Sequence, residues 1–591
     1  MTKALRIGGA CGFWGETAMA TPQLLAGDGV DVLVYDYLAE ITMSILARAQ
    51  QKNPERGYAT DFVGGVLADS LDEIAKQGVR VLSNAGGVNP QACAQAVQAL
   101  IKDKGLSLKV AVVEGDDLMG RSAEFADKTE MFSGAPMPGA DRILSMNAYL
   151  GAWPIVAALN AGADIVITGR CVDSALTLAA CIHRFGWESD AYDQLAAGSL
   201  AGHLLECGPQ STGGNFTDWQ LAGDLAGIGY PVVEIQGCGD MTVTKPAGTQ
   251  GIVSPAAVCE QMLYEIGDPQ AYVLPDVICD FSQVVLEQVG SERVAVRGAK
   301  GRAPTGQVKV SVTWLDGYRA GYLFQFNGVN ARRKAQNFAR IGLDRAQKAL
   351  RKMGGGDYSD VSIETFGGRP GDGPYEEIAL KTAVRHQDPR AVGLFLKELI
   401  GAALATPPGL HGFTGAGRPK PSPVVALFSF LVDSEILDQR IEIEGRMERP
   451  AHRAHGPSTD TSMDRCVPHD VDGQAGPTVT CRLEELAWAR SGDKGDKANI
   501  GVIARHPDYM PWIWKSLTPH VVTRRFKGEI NGPVERFYLP GSVSMNILLH
   551  EALGGGGVSS LRNDSQAKSF AQVLLDLPVN IPEHLLHCKP G

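Results

Sequence analysis

The feature that most constrains this chain is the rhythm of its first third. Short apolar runs at 5–7, 32–35, 79–83, 109–114 and 164–168 alternate with helix-length stretches at 41–51, 71–77, 90–102 and 148–160. Strands alternating with helices build right-handed βαβ units, so the expected fold class is α/β, with a Rossmann-like, mostly parallel sheet covered on both faces. Such a sheet places ligands beyond the carboxyl ends of its strands. The loops this selects are 8–15, 36–40, 84–89, 114–117 and 169–174.

The first of these is the most distinctive. The run Gly8-Gly9-Ala10-Cys11-Gly12-Phe13-Trp14-Gly15 follows an apolar strand and precedes a stretch able to begin a helix. Strand, glycine turn and helix start together form an anion site, so Gly9, Gly12 and Gly15 are candidate ligand contacts, with Phe13 and Trp14 as apolar surface. Asp36 ends the second apolar run, where a dinucleotide fold reads a ribose. The spacing G-x-x-G-x-x-G departs from the nicotinamide fingerprint and suits a switch-point ligand site better than a nicotinamide or flavin cofactor. Asn84, Gly86, Gly87 and Asn89 form an amide-rich turn. Arg170 and Asp173 offer a guanidinium and a carboxylate at i, i+3. Turn chemistry alone explains any one of these loops; the argument rests on all of them falling at strand ends.

Further along, His203 and Glu206 share a helix face, and Gly208-Pro209 closes that helix. A carboxylate beside an imidazole suits general acid/base catalysis. A zinc site with Cys207 and a plain structural pair are the alternatives; adjacent Glu and Cys point in different helical directions, which disfavours the metal. No metal site is expected. His452, His455, Cys466 and His469 fit no zinc module. Residues 446–477, rich in Pro, Gly, Asp and Ser, read as a linker between a 1–445 domain (core sheet 1–185, extension 186–445) and a 478–591 α+β domain. In the latter, Arg490, Ser491, Asp493 and Lys494 belong to a polar loop over 490–497 that can bind a carboxylate or phosphate.

Bulk properties exclude several function classes. A length of 591 residues calls for two or more domains, and 44% hydrophobic with 20% charged residues is an ordinary globular balance. The net charge of -11 argues against nucleic acid and anionic membrane as partners. Neither a signal peptide nor a membrane-spanning run is visible, and the 11 cysteines, without C-x-x-C pairs, read as reduced thiols of a cytoplasmic protein.

Several long motifs resemble the acyclic terpene utilisation A family. They are Gly8 to Gly15, Asp36-Tyr37-Leu38-Ala39-Glu40, Asn84 to Pro90, Thr168 to Asp173, His203 to Gly214, Tyr264-Glu265-Ile266-Gly267-Asp268-Pro269, Arg490 to Asp496 and Gly554 to Arg562. The resemblance covers essentially the whole chain. It implies a C-terminal ferredoxin-like module and a place in the catabolism of branched, acyclic compounds carried as CoA thioesters. On this basis a hydratase or lyase acting on a branched acyl-CoA or related acid is expected. His203, Glu206 and Asp36 would be catalytic, CoA would be part of the substrate, and no redox cofactor is needed. A non-catalytic acyl-CoA or nucleotide-binding subunit and an NAD-dependent oxidoreductase are the alternatives. A homo-oligomer is expected.

Overall fold

A computed structural model describes residues 3–368, 375–412, 417–450, 465–471, 476–557 and 559–588. The chain divides into two compact units: Met1–Thr313 with Phe428–Ala552 and Ala567–Gly591, and Trp314–Leu427 with Leu553–Gln566.

The first unit is organised on an eleven-stranded mixed sheet. In chain order its strands are β1 (Leu5–Cys11), β2 (Val32–Tyr35), β3 (Arg80–Ser83), β4 (Val110–Glu114), β5 (Ile165–Thr168), β6 (Val232–Ile235), β7 (Met241–Thr244), β8 (Val285–Gly290), β9 (Arg293–Arg297), β10 (Arg440–Ile443) and β11 (Arg446–Glu448). Their spatial order is β8-β9-β7-β6-β1-β2-β3-β5-β4-β10-β11. The five central strands, β1 to β5, pair in parallel and are the five apolar runs of the first third. Antiparallel strands extend this core on both sides. A tightly packed layer covers the parallel core, with Tyr35, Tyr37 and Phe62 in mutual ring contact inside it.

Two expected loops are strands. β1 continues through Gly8 and Gly9 to Cys11. Arg446–Glu448, placed in the linker by composition, folds back on β10 through Glu444 and Gly445, both at positive φ. Two consecutive positive-φ residues are the turn that matches strand twist in a tight hairpin.

The C-terminal module packs in the same unit. Its antiparallel strands are β12 (Ala487–Lys494), β13 (Lys497–Ala504), β14 (Val534–Leu539) and β15 (Ser544–Leu549), in the order β12-β13-β15-β14. The polar segment expected as a loop is therefore mostly strand: β12 runs to Lys494, and only Gly495 and Asp496 turn, with Gly495 at positive φ. Gly492 and Gly501 let this sheet lie against the helix Pro255–Leu263 and the turn after it. A Cβ on Gly492 would reach Glu265 Cγ at 2.6 Å, and one on Gly501 would reach Leu263 Cβ at 2.5 Å.

In the second unit the strand Tyr375–His386 pairs with the distal part of Gln307–Val329 on one side and with Asp360–Gly367 on the other, under the helices Ala331–Lys352 and Pro389–Gly401. Phe324, Phe326, Phe338, Leu380 and Phe395 form its core. Among the described residues no helix is long and apolar enough to cross a membrane.

Candidate active site

The site begins with a helix that is buried nearly all round. In Tyr192–Leu205 every residue from Leu195 onward is buried. Small residues make this possible, since a Cβ at Gly202 would lie 2.6 Å from Ser174 Cα. The helix end is seated against β1. A Cβ on Gly9 would lie 2.7 Å from the Leu205 oxygen, and one on Gly12 would lie 2.8 Å from the Glu206 oxygen. The glycines of the opening motif thus admit the end of the His203 helix. The Gly12 N–H donates to Glu16 Oε2 at 2.7 Å, and Tyr230 donates to the same carboxylate. At Gly9 and Gly12 the space, and at Gly12 the backbone donor, are taken by the chain itself, so these two glycines serve close packing. Gly9→Ala is expected to destabilise the protein by about 1–3 kcal/mol through overpacking. Urea denaturation checks this, with the equally small but unhindered substitution Gly64→Ala as control.

His203, 1% exposed, donates from Nδ1 to Glu206 Oε1 at 2.9 Å. Its Nε2 is buried and has no hydrogen-bond partner. Burial pushes the imidazole's proton affinity down, but the Glu206 charge and hydrogen bond outweigh it and hold His203 above its ordinary range. Burial pushes the Glu206 carboxyl up, with His203 opposing.

Around this pair stand groups from the carboxyl ends of the parallel strands. Asp36, after β2, accepts from Asn84 Nδ2 at 2.5 Å, while Asn84 Oδ1 accepts from the Tyr37 N–H at 2.7 Å. Burial first, then the charge of Asp173, pushes the Asp36 carboxyl well up, and Arg170 opposes them. Arg170, 3% exposed, donates to Asp173 at 2.7 Å and to the Leu38 oxygen at 3.0 Å, and its guanidinium lies 4.1 Å from the Tyr149 ring centroid. Lys309 stands 4.7 Å from the same ring and 3.2 Å from Glu40, which also accepts from the Tyr149 hydroxyl. Burial favours the neutral form of Glu40, but Lys309, Arg170 and Tyr149 together hold it far below the usual range.

Beneath Arg170, Asp116 Oδ2 accepts from the Arg170 N–H at 2.8 Å and from Asn147 Nδ2 at 2.9 Å. Burial still pushes its carboxyl up to about 7. A folded-state value above the unfolded one means the native state holds an extra proton. The stability this contributes is present in acid and is lost as pH rises through about 7. Asp116→Asn keeps an acceptor oxygen and is expected to flatten that fall. Denaturation from about pH 5 to about pH 8 should show a shallower slope than wild type.

The C-terminal module closes the site. Lys494, at the end of β12, remains exposed, with its ammonium 5.8 Å from the Tyr272 ring centroid. Tyr272 is in ring contact with His203, the centroids being 6.1 Å apart. The Tyr272 phenol first, then Glu265, Asp173 and Glu206, hold the Lys494 ammonium above its ordinary range against the desolvation of the crowded walls. Lys568 contacts the Tyr264 hydroxyl, pairs with Glu265 at 2.8 Å, and reaches Asp493 at 3.4 Å. Glu265 stands at φ 56, and Asn499 Oδ1 of β13 accepts its N–H at 2.9 Å. The docked sheet thus pins a strained turn whose carboxylate faces both domains.

Of the residues singled out from sequence, Asp36, Arg170, Asp173, His203, Glu206, Asp493 and Lys494 converge here, with Asn84 behind Asp36. Others do not. Asn89 accepts from the Ala92 N–H at the start of the helix Pro90–Asp103 and donates to the Pro54 and Arg56 oxygens. Gly86 and Gly87 are close-packing positions, against the Thr168 oxygen and against Leu46. Gly15 turns the loop at positive φ, Phe13 is exposed, and Trp14 packs on the core. Arg490 pairs with buried Glu260, and Ser491 bonds Ala567 and Ala571. His452 and His455 lie outside the described residues. Sequence reasoning missed Glu40, Tyr149, Glu265, Tyr272, Lys309 and Lys568. Glu40 and Glu265 stood inside quoted motifs and were given no role; the others carried no local signal.

Among the described residues no group of three or more His, Cys, Asp and Glu side chains has the arrangement to hold a metal ion. What the site offers is an imidazole with one free nitrogen, a cation beside it, and carboxyls of differing proton affinity. A model of the Acyclic terpene utilisation family protein AtuA matches residues 5–443, and one of the AtuA ferredoxin-like domain matches residues 481–580. No curated protein matches the chain. The first match alone spans well over half of the sequence, so the chain belongs to the AtuA family, linked to acyclic terpene utilisation, with an N-terminal AtuA domain and a C-terminal ferredoxin-like domain.

Proposed function

We propose that this protein is an acid–base enzyme, a hydratase or lyase acting on a branched acyl-CoA or a related carboxylic acid. The observation that carries the reading is His203, with Nδ1 held by Glu206 and a buried Nε2 left without a partner. An unmade hydrogen bond on a buried polar atom costs roughly 1–3 kcal/mol, and a substrate atom would supply the missing partner.

In this reading Nε2 takes the proton from the carbon beside the substrate carbonyl, while Glu206 fixes the tautomer and stabilises the imidazolium. Lys494 takes the carbonyl oxygen as it gains negative charge. The electron pair of the broken C–H bond forms the carbon–carbon double bond as the bond to the β-hydroxyl breaks. Asp36, whose carboxyl keeps its proton to raised pH, gives it to the departing oxygen, which leaves as water. Hydration is the reverse. A carboxyl that keeps its proton and has one oxygen taken by Asn84 is not the free carboxylate that holds a ribose, which weighs against NAD. The family's link to acyclic terpenes supports a branched substrate.

The test is α-proton exchange in deuterated water, followed by mass spectrometry with a set of branched acyl-CoA thioesters and free acids. Deuterium should enter at the α-carbon of at least one of them. Because the base must be neutral, exchange should rise with pH through the raised His203 value and then level. Binding of these compounds without any exchange would overturn the enzyme in favour of a binding subunit.

A further inference from the structure

A second concavity, of about 410 Å³, opens where the C-terminal sheet meets the α/β domain. Phe216, Ile252, Leu286, Trp488, Ile503 and Val543 form its walls. It is separate from the His203 site. Trp488 and Lys494 lie on the same face of β12, six residues apart, so about 20 Å of strand divides the two sites. Between them stands the buried Arg490–Glu260 pair.

Every polar side chain on the cleft wall is already partnered. Asp218 accepts from Trp488 Nε1 at 2.6 Å and from both terminal nitrogens of Arg505 at 2.6 Å. Ser254 accepts from the Ala257 N–H at the start of its helix. Ser542 bonds Ser544 at 2.6 Å, and both face the Cys259 thiol. The polar side chains of the wall are thus engaged with the chain itself, the surface left to a ligand is mainly apolar, and a charged group held here would lose its water for little return. The volume falls within the roughly 300–1,000 Å³ of small-molecule sites.

Two further observations mark the cleft as more than a packing gap. Val543 stands at φ 49, a left-handed conformation that is a true outlier for a β-branched residue. Such strain persists where structure over-determines it, and it clusters at ligand clamps. At the mouth, Leu221 is 64% exposed beside Trp219 at 56%, so the apolar surface continues to the rim.

We propose that this cleft is a second ligand site, distinct from the His203 site, that takes an acyclic branched hydrocarbon chain by its apolar body. The wall chemistry selects hydrocarbon, and the family's link to acyclic terpenes supplies the branched, open-chain form. A second copy of this chain inserting a side chain is the rival occupant.

The experiment is isothermal titration calorimetry of the full chain with dimethyloctanol, alongside size-exclusion chromatography. Wild type should bind at one saturable site with a negative heat-capacity change. Leu221→Glu, a fold-neutral change at an exposed position, should weaken binding at least about tenfold, whereas His203→Gln should leave it unchanged. Val543→Gly should raise the thermal midpoint and weaken binding. The proposal is overturned if wild type shows no saturable binding, or if His203→Gln abolishes binding while Leu221→Glu does not. It is equally overturned if Leu221→Glu dissociates an oligomer and leaves dimethyloctanol binding intact. Exchange at the His203 site is read separately, so its failure leaves this result standing.

Discussion

Replacing His203 with Gln is expected to lower α-proton exchange by about 10²–10⁴-fold, the usual contribution of a positioned general base. Gln keeps an amide donor for Glu206 but has no nitrogen that can take up a proton. Partner substitutions separate this role from a merely structural one by moving the pH midpoint in opposite directions. Glu206 raises the proton affinity of His203 by charge and hydrogen bond, so Glu206→Gln should move the midpoint down. Lys494 lowers it by charge, so Lys494→Met should move it up. Lys494→Met should also cut the plateau rate by about 10²–10³-fold through loss of the group opposite the developing oxyanion. Equal rates in wild type and His203→Gln would remove His203 from the chemistry. A rate loss with no shift of midpoint in either partner variant would assign the pair to packing.

The sequence made part of this architecture legible, and the limits are physical. The five parallel strands are readable because both of their faces are buried, so each appears as a compact apolar run. His203 and Glu206 are readable because three-residue spacing places them together on one helical turn. By contrast, the segment from Arg490 to Lys497 has the composition of a loop. It is strand as far as Lys494 because pairing with β13 overrides local propensity. The opening glycines look like a phosphate cradle for the same local reason. Only the fold reveals that their missing side chains make room for Leu205 and Glu206. Tyr272, Lys309 and Lys568 reach the site through sheet pairing and domain docking, contacts with no sequence period. Glu265 adds a backbone conformation that its own residue type disfavours and that Asn499, far along the chain, helps to hold.

Arg490→Ala is expected to cost about 3–5 kcal/mol, the largest stability loss of any single substitution proposed for this chain. Arg490 and Glu260 have side chains 5% and 0% exposed and stand 3.1 Å apart at the joint between the α/β domain and the C-terminal sheet. Arg490 also donates to the Gly214 oxygen at 2.8 Å, and Glu260 accepts from both the N–H and the hydroxyl of Thr217. Removing the guanidinium leaves a carboxylate buried without its countercharge. Burial already pushes the Glu260 carboxyl up, and Arg490 is the chief opposing influence, so in the variant the carboxyl rises further. The variant's native state then gains a proton that its unfolded state lacks, and its deficit relative to wild type should shrink as pH falls. Urea denaturation at about pH 8 and about pH 5.5 measures both the loss and its slope. Glu260→Gln added to Arg490→Ala should recover much of the stability at the higher pH, because a neutral amide replaces the stranded charge. A deficit below about 1 kcal/mol that ignores pH would mean that water reaches the pair. The joint would then be held instead by Leu263 against Gly501 and by Asn499 on the Leu263 and Glu265 backbone.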